Sequence, residues 1–225
     1  MKKEIIPPKR STVLRKNNTQ ELKISIAQHQ YVNAFVINGS AFITEDVSDP
    51  DLIIKSESQY MIMNNGNDDI EVNYNQNISD HEIIYDPHKY ISSKEENLKL
   101  EYFKMKYEIP NGYIDTLPKW YSFKLTYPKF NLIFVRPEFG ISIQTHNNRN
   151  EFWEILEGDP IIINANKVHY NVEKGRKFNI PINTYHSIIN PNKEEGNYIV
   201  FRETWSGKFD EKDIKRIFNP NQYFD

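Results

Sequence analysis

Four side chains that can hold a metal ion stand out in this 225-residue chain: Gln144, His146 and Glu151, followed thirty-five residues later by His186. Imidazole, carboxylate and amide-carbonyl donors together suit a divalent first-row ion, and an amide in place of a third imidazole leans the set toward oxygen. Zn, Mn, Fe, Co and Ni all answer to that description. Gln144 and His146 are two residues apart, which is the repeat of a β-strand, so both face the same side of a sheet. Four protein ligands on a six-coordinate ion leave adjacent positions open, where a substrate with neighbouring oxygens can chelate. The ion then works as a Lewis acid, polarising a carbonyl and stabilising an enediolate. The plainer alternative is that these side chains only hydrogen-bond inside a barrel. Against it stand four donor side chains set among the turn residues Gly158, Gly175, Pro181 and Asn190.

Those turn residues define two segments. The first runs Gly140-Ile-Ser-Ile-Gln144-Thr-His146-Asn-Asn-Arg149-Asn-Glu151 and then six residues on to Gly158. The second places Gly175, Pro181, Asn183, His186 and Asn190 in the pattern Gly-x5-Pro-x-Gly-x2-His-x3-Asn, with Asn183 in place of a glycine. Asn is among the few residues that accept a left-handed turn, so the exchange is mild. Together the segments resemble the cupin superfamily, and more narrowly the C-terminal cupin domain of type II mannose-6-phosphate isomerases. That family reads roughly Leu-Ser-Leu-Gln-x-His-His-His-Arg-x-Glu-His-Trp where this chain has Ile141-Ser-Ile-Gln144-Thr-His146-Asn147-Asn148-Arg149-Asn150-Glu151-Phe152-Trp153. The likeness covers residues 117 to 220. It takes in Leu117-Pro-Lys-Trp120-Tyr121, Val135-Arg-Pro137-Glu-Phe-Gly140, Ile180-Pro-Ile-Asn-Thr-Tyr-His186 and Glu211-Lys-Asp213-Ile214-Lys-Arg216. Three family histidines are replaced, by Asn147, Asn148 and Phe152. None is a ligand position, so the exchanges bear on the reaction more than on the metal.

The resemblance implies an all-β cupin, a double-stranded β-helix or jelly-roll barrel, and the rest of the chain agrees. Short strands separated by Asn, Gly, Asp and Pro turns favour a sandwich or barrel. In the N-terminal half, Leu22 to Ala27, Tyr31 to Ile37, Ala41 to Thr44, Leu52 to Lys55, Gln59 to Met63 and Ile70 to Tyr74 read as strands. These predict a bicupin: a degenerate cupin-like β module over residues 1–110, without a ligand set, and a cupin domain over 111–225 carrying the metal. His29, His81, His88 and His169 stand outside any ligand spacing and read as surface or satisfied core residues. Ser79 to Glu96 reads as a loop or linker. A C-terminal helix is expected, capped by Asp210, with a Phe209/Ile214 staple and Ile214, Ile217 and Phe218 on one packing face.

Composition bounds the partners. Lys and Arg number 28 against 31 Asp and Glu, and a net charge of −3 gives no general attraction to nucleic acid or anionic lipid. No apolar run approaches a membrane span, and the N-terminus lacks the apolar core of a signal peptide, so the cytoplasm is the expected location. With no cysteine there is no disulfide and no thiolate ligand or nucleophile. Unpaired strand edges lead us to expect a homodimer. The family resemblance implies a metal-dependent sugar-phosphate isomerase, converting aldose to ketose and taking a sugar or sugar phosphate. Such chemistry needs a base and an electrophile. Glu203 and Glu151 are the candidates for the base, and Arg149 or Arg202 for holding a phosphate through a planar fork. The family matches Arg149 and not Arg202. Two alternatives stand beside it: a non-catalytic sugar-binding or regulatory cupin, and a cupin-type metal oxygenase. No Gly-rich nucleotidyltransferase loop is present.

Overall fold

The computed structural model describes residues 2–26, 34–44, 51–92, 103–110, 121–210 and 212–221. In the first half run β1 (Lys2–Ile6), β2 (Leu14–Lys16), β3 (Leu22–Ile26), β4 (Ala34–Asn38), β5 (Ala41–Ile43), β6 (Asp51–Ile54), β7 (Gln59–Asn64), β8 (Ile70–Tyr74) and β9 (Glu82–Tyr85). The second half holds β10 (Ser122–Thr126), β11 (Asn131–Val135), β12 (Ile143–Thr145), β13 (Arg149–Glu157), β14 (Ile161–Asn164), β15 (Lys167–His169), β16 (Lys177–Ile180), β17 (His186–Ile189), β18 (Ile199–Gly207) and β19 (Lys215–Phe218). They pair into three sheets, in the orders β1-β8-β3-β6, β10-β11-β18-β13-β16 and β19-β12-β17-β14-β15-β5-β4-β7-β2-β9. Every pairing among them is antiparallel. No helix among the described residues is long and apolar enough to cross a membrane.

The longest sheet crosses from one half to the other between β5 and β15, where Phe42 N donates to Asn166 O at 2.9 Å and Val168 N to Ser40 O at 2.8 Å. Its central strands are buried on both faces, which is why β4, β7 and β14 are largely apolar runs, while β17 buries the polar His186 and Ser187 beside Ile188 and Ile189. Alternation divides each strand between two cores. Val36, Tyr60 and Ile62 point into a cluster with Ile24, Val72 and Tyr74 of the facing four-stranded sheet. Ile162 and Ile188 point into another, with Trp153, Ile155 and Phe201 of the five-stranded sheet. The intervening residues Ile37, Met61, Met63, Ile161, Ile163 and Ile189 meet in a third cluster that draws on both halves. This all-β architecture of curled antiparallel sheets is the cupin fold that the sequence predicts.

Five of the six N-terminal strands that the sequence predicts appear within a residue or two of the expected bounds. The fifth of these, at Gln59–Asn64, runs one residue longer than expected, and the start of the segment from Tyr31 lies outside the described residues, as does His29. Two expectations are corrected. The stretch from Ser79 is no plain linker: Glu82–Tyr85 forms β9, whose register against β2 pairs Leu14 with Tyr85 and Lys16 with Glu82. The C-terminal helix is a strand instead. Ile143, Gln144 and Thr145 of β12 face Phe218, Arg216 and Lys215 of β19. A helix of two turns is marginal by itself, whereas this edge offers ladder hydrogen bonds and burial of Ile217 and Phe218, at roughly 1.5–3 kcal/mol each. The capping signal at Asp210 is spent on a turn, its Oδ1 accepting from Lys212 N at 2.9 Å and its carbonyl from Asp213 N at 3.0 Å.

Candidate metal centre and cleft

Glu151 lies on β13 and His186 on β17, strands of facing sheets, so their inward side chains converge at one end of the C-terminal barrel. His146 follows β12 directly. The turn before His186 is set by Asn183, which holds a left-handed φ of 58° and donates its N–H to the His146 carbonyl at 2.7 Å. The expectation that Asn could stand there for glycine is met, and the two motifs are joined by that bond.

His146, Glu151 and His186 are all buried, and their ligating atoms lie within 4.8 Å of one another. His146 Nε2 is 3.0 Å from Glu151 Oε1, and His186 Nε2 is 3.6 Å from Oε2. The backbone fixes both rings. The Asp213 carbonyl accepts from His146 Nδ1, and the Thr184 carbonyl accepts from His186 Nδ1 at 2.8 Å. Each Nε2 therefore turns its lone pair inward. Burial pushes His186 down to about 4, which keeps it neutral. Burial alone would raise Glu151, but its closeness to His146 and the charge of the Arg149 guanidinium hold its carboxyl well below the usual range, so it is ionised. At His146 burial is outweighed by the Glu151 carboxylate and the Asp213 carbonyl, and the net shift is upward. An ionised carboxylate and two imidazoles with inward Nε2 atoms are a donor set that fits a divalent ion. Gln144 stands beside them, opposite His186 in the β12–β17 register, with its amide Nε2 3.4 Å from His186 Nε2 and its Oε1 accepting from Ser142 Oγ at 2.8 Å.

A cleft lies beside this group and meets it through Gln144 and Arg149; it is lined also by Ser142, Glu203 and the cations Lys124 and Arg216. Glu203 is buried and its Oε1 accepts from Asn131 Nδ2 at 2.7 Å. Burial, reinforced by the negative charge of Glu151, raises its carboxyl to about 7. Arg149 is also buried. Its Nε donates to Glu151 Oε1 at 2.8 Å, its Nη1 to the Asp210 carbonyl at 2.8 Å, and its guanidinium lies 4.9 Å from the Phe209 ring. Arg202, the other candidate for holding a phosphate, is not brought to this site. It follows Phe201 on β18, and alternation turns it to the outer face, where it is exposed, pairs with Glu154 at 3.3 Å and lies over Phe130.

Residues 208–210 and 212–214, around the start of the expected helix, run beside this group, and Ile214 lines the cleft. Besides its two carbonyl contacts, the Asp213 carboxylate accepts from Asn147 N at 3.1 Å and Asn148 N at 2.9 Å. Gly207 permits this close passage: a Cβ there would stand 2.5 Å from the Asn148 carbonyl oxygen. Asn147 and Asn148 themselves are exposed, as is Phe152, so the three exchanged family positions face away from the donors. Sequence reasoning missed Lys124, Asn131 and the course of these two segments. Asp213 and Arg216 were visible only as part of a motif resemblance, and nothing in local spacing marks Lys124.

Residues 99–219 match the family model described as mannose-6-phosphate isomerase C-terminal. Comparison with curated proteins finds no match. Among solved structures, the chain is similar to a sugar phosphate isomerase of the cupin superfamily from Silicibacter pomeroyi, at 17% identity and a TM-score of 0.34, over 39% of this chain and 60% of that one. A putative sugar phosphate isomerase from Acidithiobacillus ferrooxidans shares 20% identity at a TM-score of 0.31, over 36% of this chain and 50% of that one. A predicted oxalate decarboxylase from Thermotoga maritima shares 18% at 0.32, over 35% and 65%. This chain thus spans less than two thirds of each of those chains. With over half of its own residues matched by the family model, the chain belongs to the mannose-6-phosphate isomerase C-terminal family of cupins.

Proposed function

We propose that the protein is a metal-dependent sugar-phosphate isomerase whose reaction takes place in the cleft beside Glu151. The observation that carries this reading is Glu203: a buried carboxyl poised near neutrality, lining the same cleft as Gln144 and three cationic side chains. A base with a pKa near the working pH is what proton transfer between two neighbouring carbons needs. His146, Glu151 and His186 would hold the ion, and Gln144 becomes a fourth, oxygen donor if its amide turns over. When bound, the ion supplies Lewis-acid polarisation of the substrate carbonyl. Glu203 takes the proton from C2, exchanges it with solvent and delivers one to C1, while the proton of the C2 hydroxyl passes to the C1 oxygen and Asn131 keeps the Glu203 carboxylate aimed across the strand. Lys124, Arg149 and Arg216 favour an anionic substrate, and a guanidinium fork matches the geometry of a phosphate.

The test is solvent exchange. Mannose 6-phosphate incubated in deuterium oxide with protein and Mn²⁺ or Zn²⁺ is expected to acquire deuterium at C2, followed by NMR. Replacing Glu203 with Gln should slow that exchange by about 10²–10⁴-fold while leaving substrate affinity nearly unchanged. Saturable binding of the sugar phosphate with no exchange at C2 would overturn catalysis in favour of a sugar-binding role.

A further inference from the structure

Arg149 and a metal ion make claims on the same atoms. Its Nε donates to Glu151 Oε1 at 2.8 Å, and its Nη2 lies 3.1 Å from His146 Nε2. Both acceptors belong to the donor triad. The Nε2 of an imidazole whose Nδ1 carries the proton has one lone pair, and it serves either an N–H or an ion. A guanidinium and a dication a few ångströms apart also repel each other strongly where water is excluded. The observed placing of Arg149 and an ion at His146 Nε2 therefore exclude one another. Glu151, 1% exposed, needs a positive partner in either case, because an uncompensated buried carboxylate is strongly unfavourable.

The way out for Arg149 is already open. It lines the cleft beside Lys124 and Arg216, and the Phe209 ring gives its guanidinium a face along which to move. We propose that Arg149 is a resident counter-ion of the metal centre, which gives up its place to a divalent ion and turns into the cleft, so that metal loading presents a guanidinium to an anionic ligand. The proposal rests on the reading of the cleft as a site for an anionic substrate. Its thermodynamic content is a positive coupling between cation and anion, which must be equal in both directions.

Zn²⁺ and inorganic sulfate, the latter standing for a phosphate dianion, are the probes. By calorimetry, Arg149→Gln is expected to bind Zn²⁺ about tenfold more tightly than the wild type, since no cation has to be expelled, whereas Arg149→Lys stays near the wild-type affinity. Sulfate is expected to bind the Zn²⁺-loaded wild type about tenfold or more tightly than chelator-treated protein, a factor within the usual range of site-to-site coupling. In Arg149→Gln that factor should fall towards one. A measurement on the wild type guards against a variant that does not fold: the Arg149 Nε–H signal in ¹⁵N NMR should shift and lose exchange protection as Zn²⁺ is added. Zn²⁺ affinity unchanged or weakened in Arg149→Gln overturns the proposal, as does an undisturbed Nε–H signal at saturating Zn²⁺. So does sulfate coupling that persists in full without the arginine, which would mean that the ion itself holds the anion. Failure of the isomerase reading looks different: C2 exchange is absent while the sulfate coupling remains.

Discussion

At the scale of single residues, Glu203 makes the sharpest claim about pH. Its proton is held more tightly in the fold, with a pKa of about 7, than in an unfolded chain, where glutamate titrates near 4.5. Between those values the unfolded chain binds fewer protons than the native one, so this group lowers stability as pH rises through the window. In chelator-treated protein, Glu203→Gln is expected to flatten the fall in denaturation midpoint between pH 4.5 and 7, and to stabilise at pH 8 by about 1–3 kcal/mol. A midpoint that falls equally in variant and wild type would mean that the carboxyl is already ionised at pH 5. The ligands supply a second residue-scale prediction. His146→Ala or His186→Ala should abolish stoichiometric metal in elemental analysis. It should also remove the rise in melting temperature on adding Zn²⁺, an effect worth about 3–4 kcal/mol for wild type at 100 to 1,000 times the dissociation constant.

At the scale of elements, the informative piece is the pair of segments 208–210 and 212–214 and the strand β19 that follows them. Local signals there read as a helix start, and they were misleading because the carboxylates of Asp210 and Asp213 serve other partners: a turn for the first, the backbone of Asn147 and Asn148 for the second. Asp213→Ala should leave the metal ligands intact yet weaken metal affinity by about 10–100-fold, as loss of a residue that orients a ligand does. Calorimetric titration of the variant would measure it, and unchanged affinity would show that the Asp213 carbonyl alone positions His146. The rest of the site was more legible. The Gln144/His146 pair could be read from strand alternation, and Glu151 and His186 from the two family motifs that carry them. Lys124 and Arg216 come from strands of two different sheets that only tertiary packing brings to one cleft, and Asn131, on a third strand, meets Glu203 only through the β11–β18 register. Arg202 was separable from Glu203 by alternation alone, once Phe201 is recognised as inward. Strand existence was legible for the same reason, since β4, β7 and β14 are largely apolar, but a run buried on both faces does not say which residue belongs to which core.

At the scale of the whole molecule, that double burial joins the halves. Ile143, Ile161, Ile163, Val168, Ile189, Ile217 and Phe218 of the second half pack against Leu14, Phe35, Ile37, Phe42, Met61 and Met63 of the first. A 111–225 fragment keeps every candidate metal ligand but exposes its side of this cluster, and we expect it to aggregate or to melt well below the full chain. The same argument predicts one cooperative unit. All three tryptophans, Trp120, Trp153 and Trp205, lie in the second half, so their fluorescence reports on that half alone, whereas far-ultraviolet circular dichroism reports on strands of both. The two melting curves of the full chain should coincide, and Zn²⁺, whose candidate ligands all lie in the second half, should move them together, because stabilising one half of a single unit stabilises the other. Curves that separate on adding Zn²⁺, with only the fluorescence transition shifting, would show that the shared cluster does not couple the two halves, and the fragment should then fold alone.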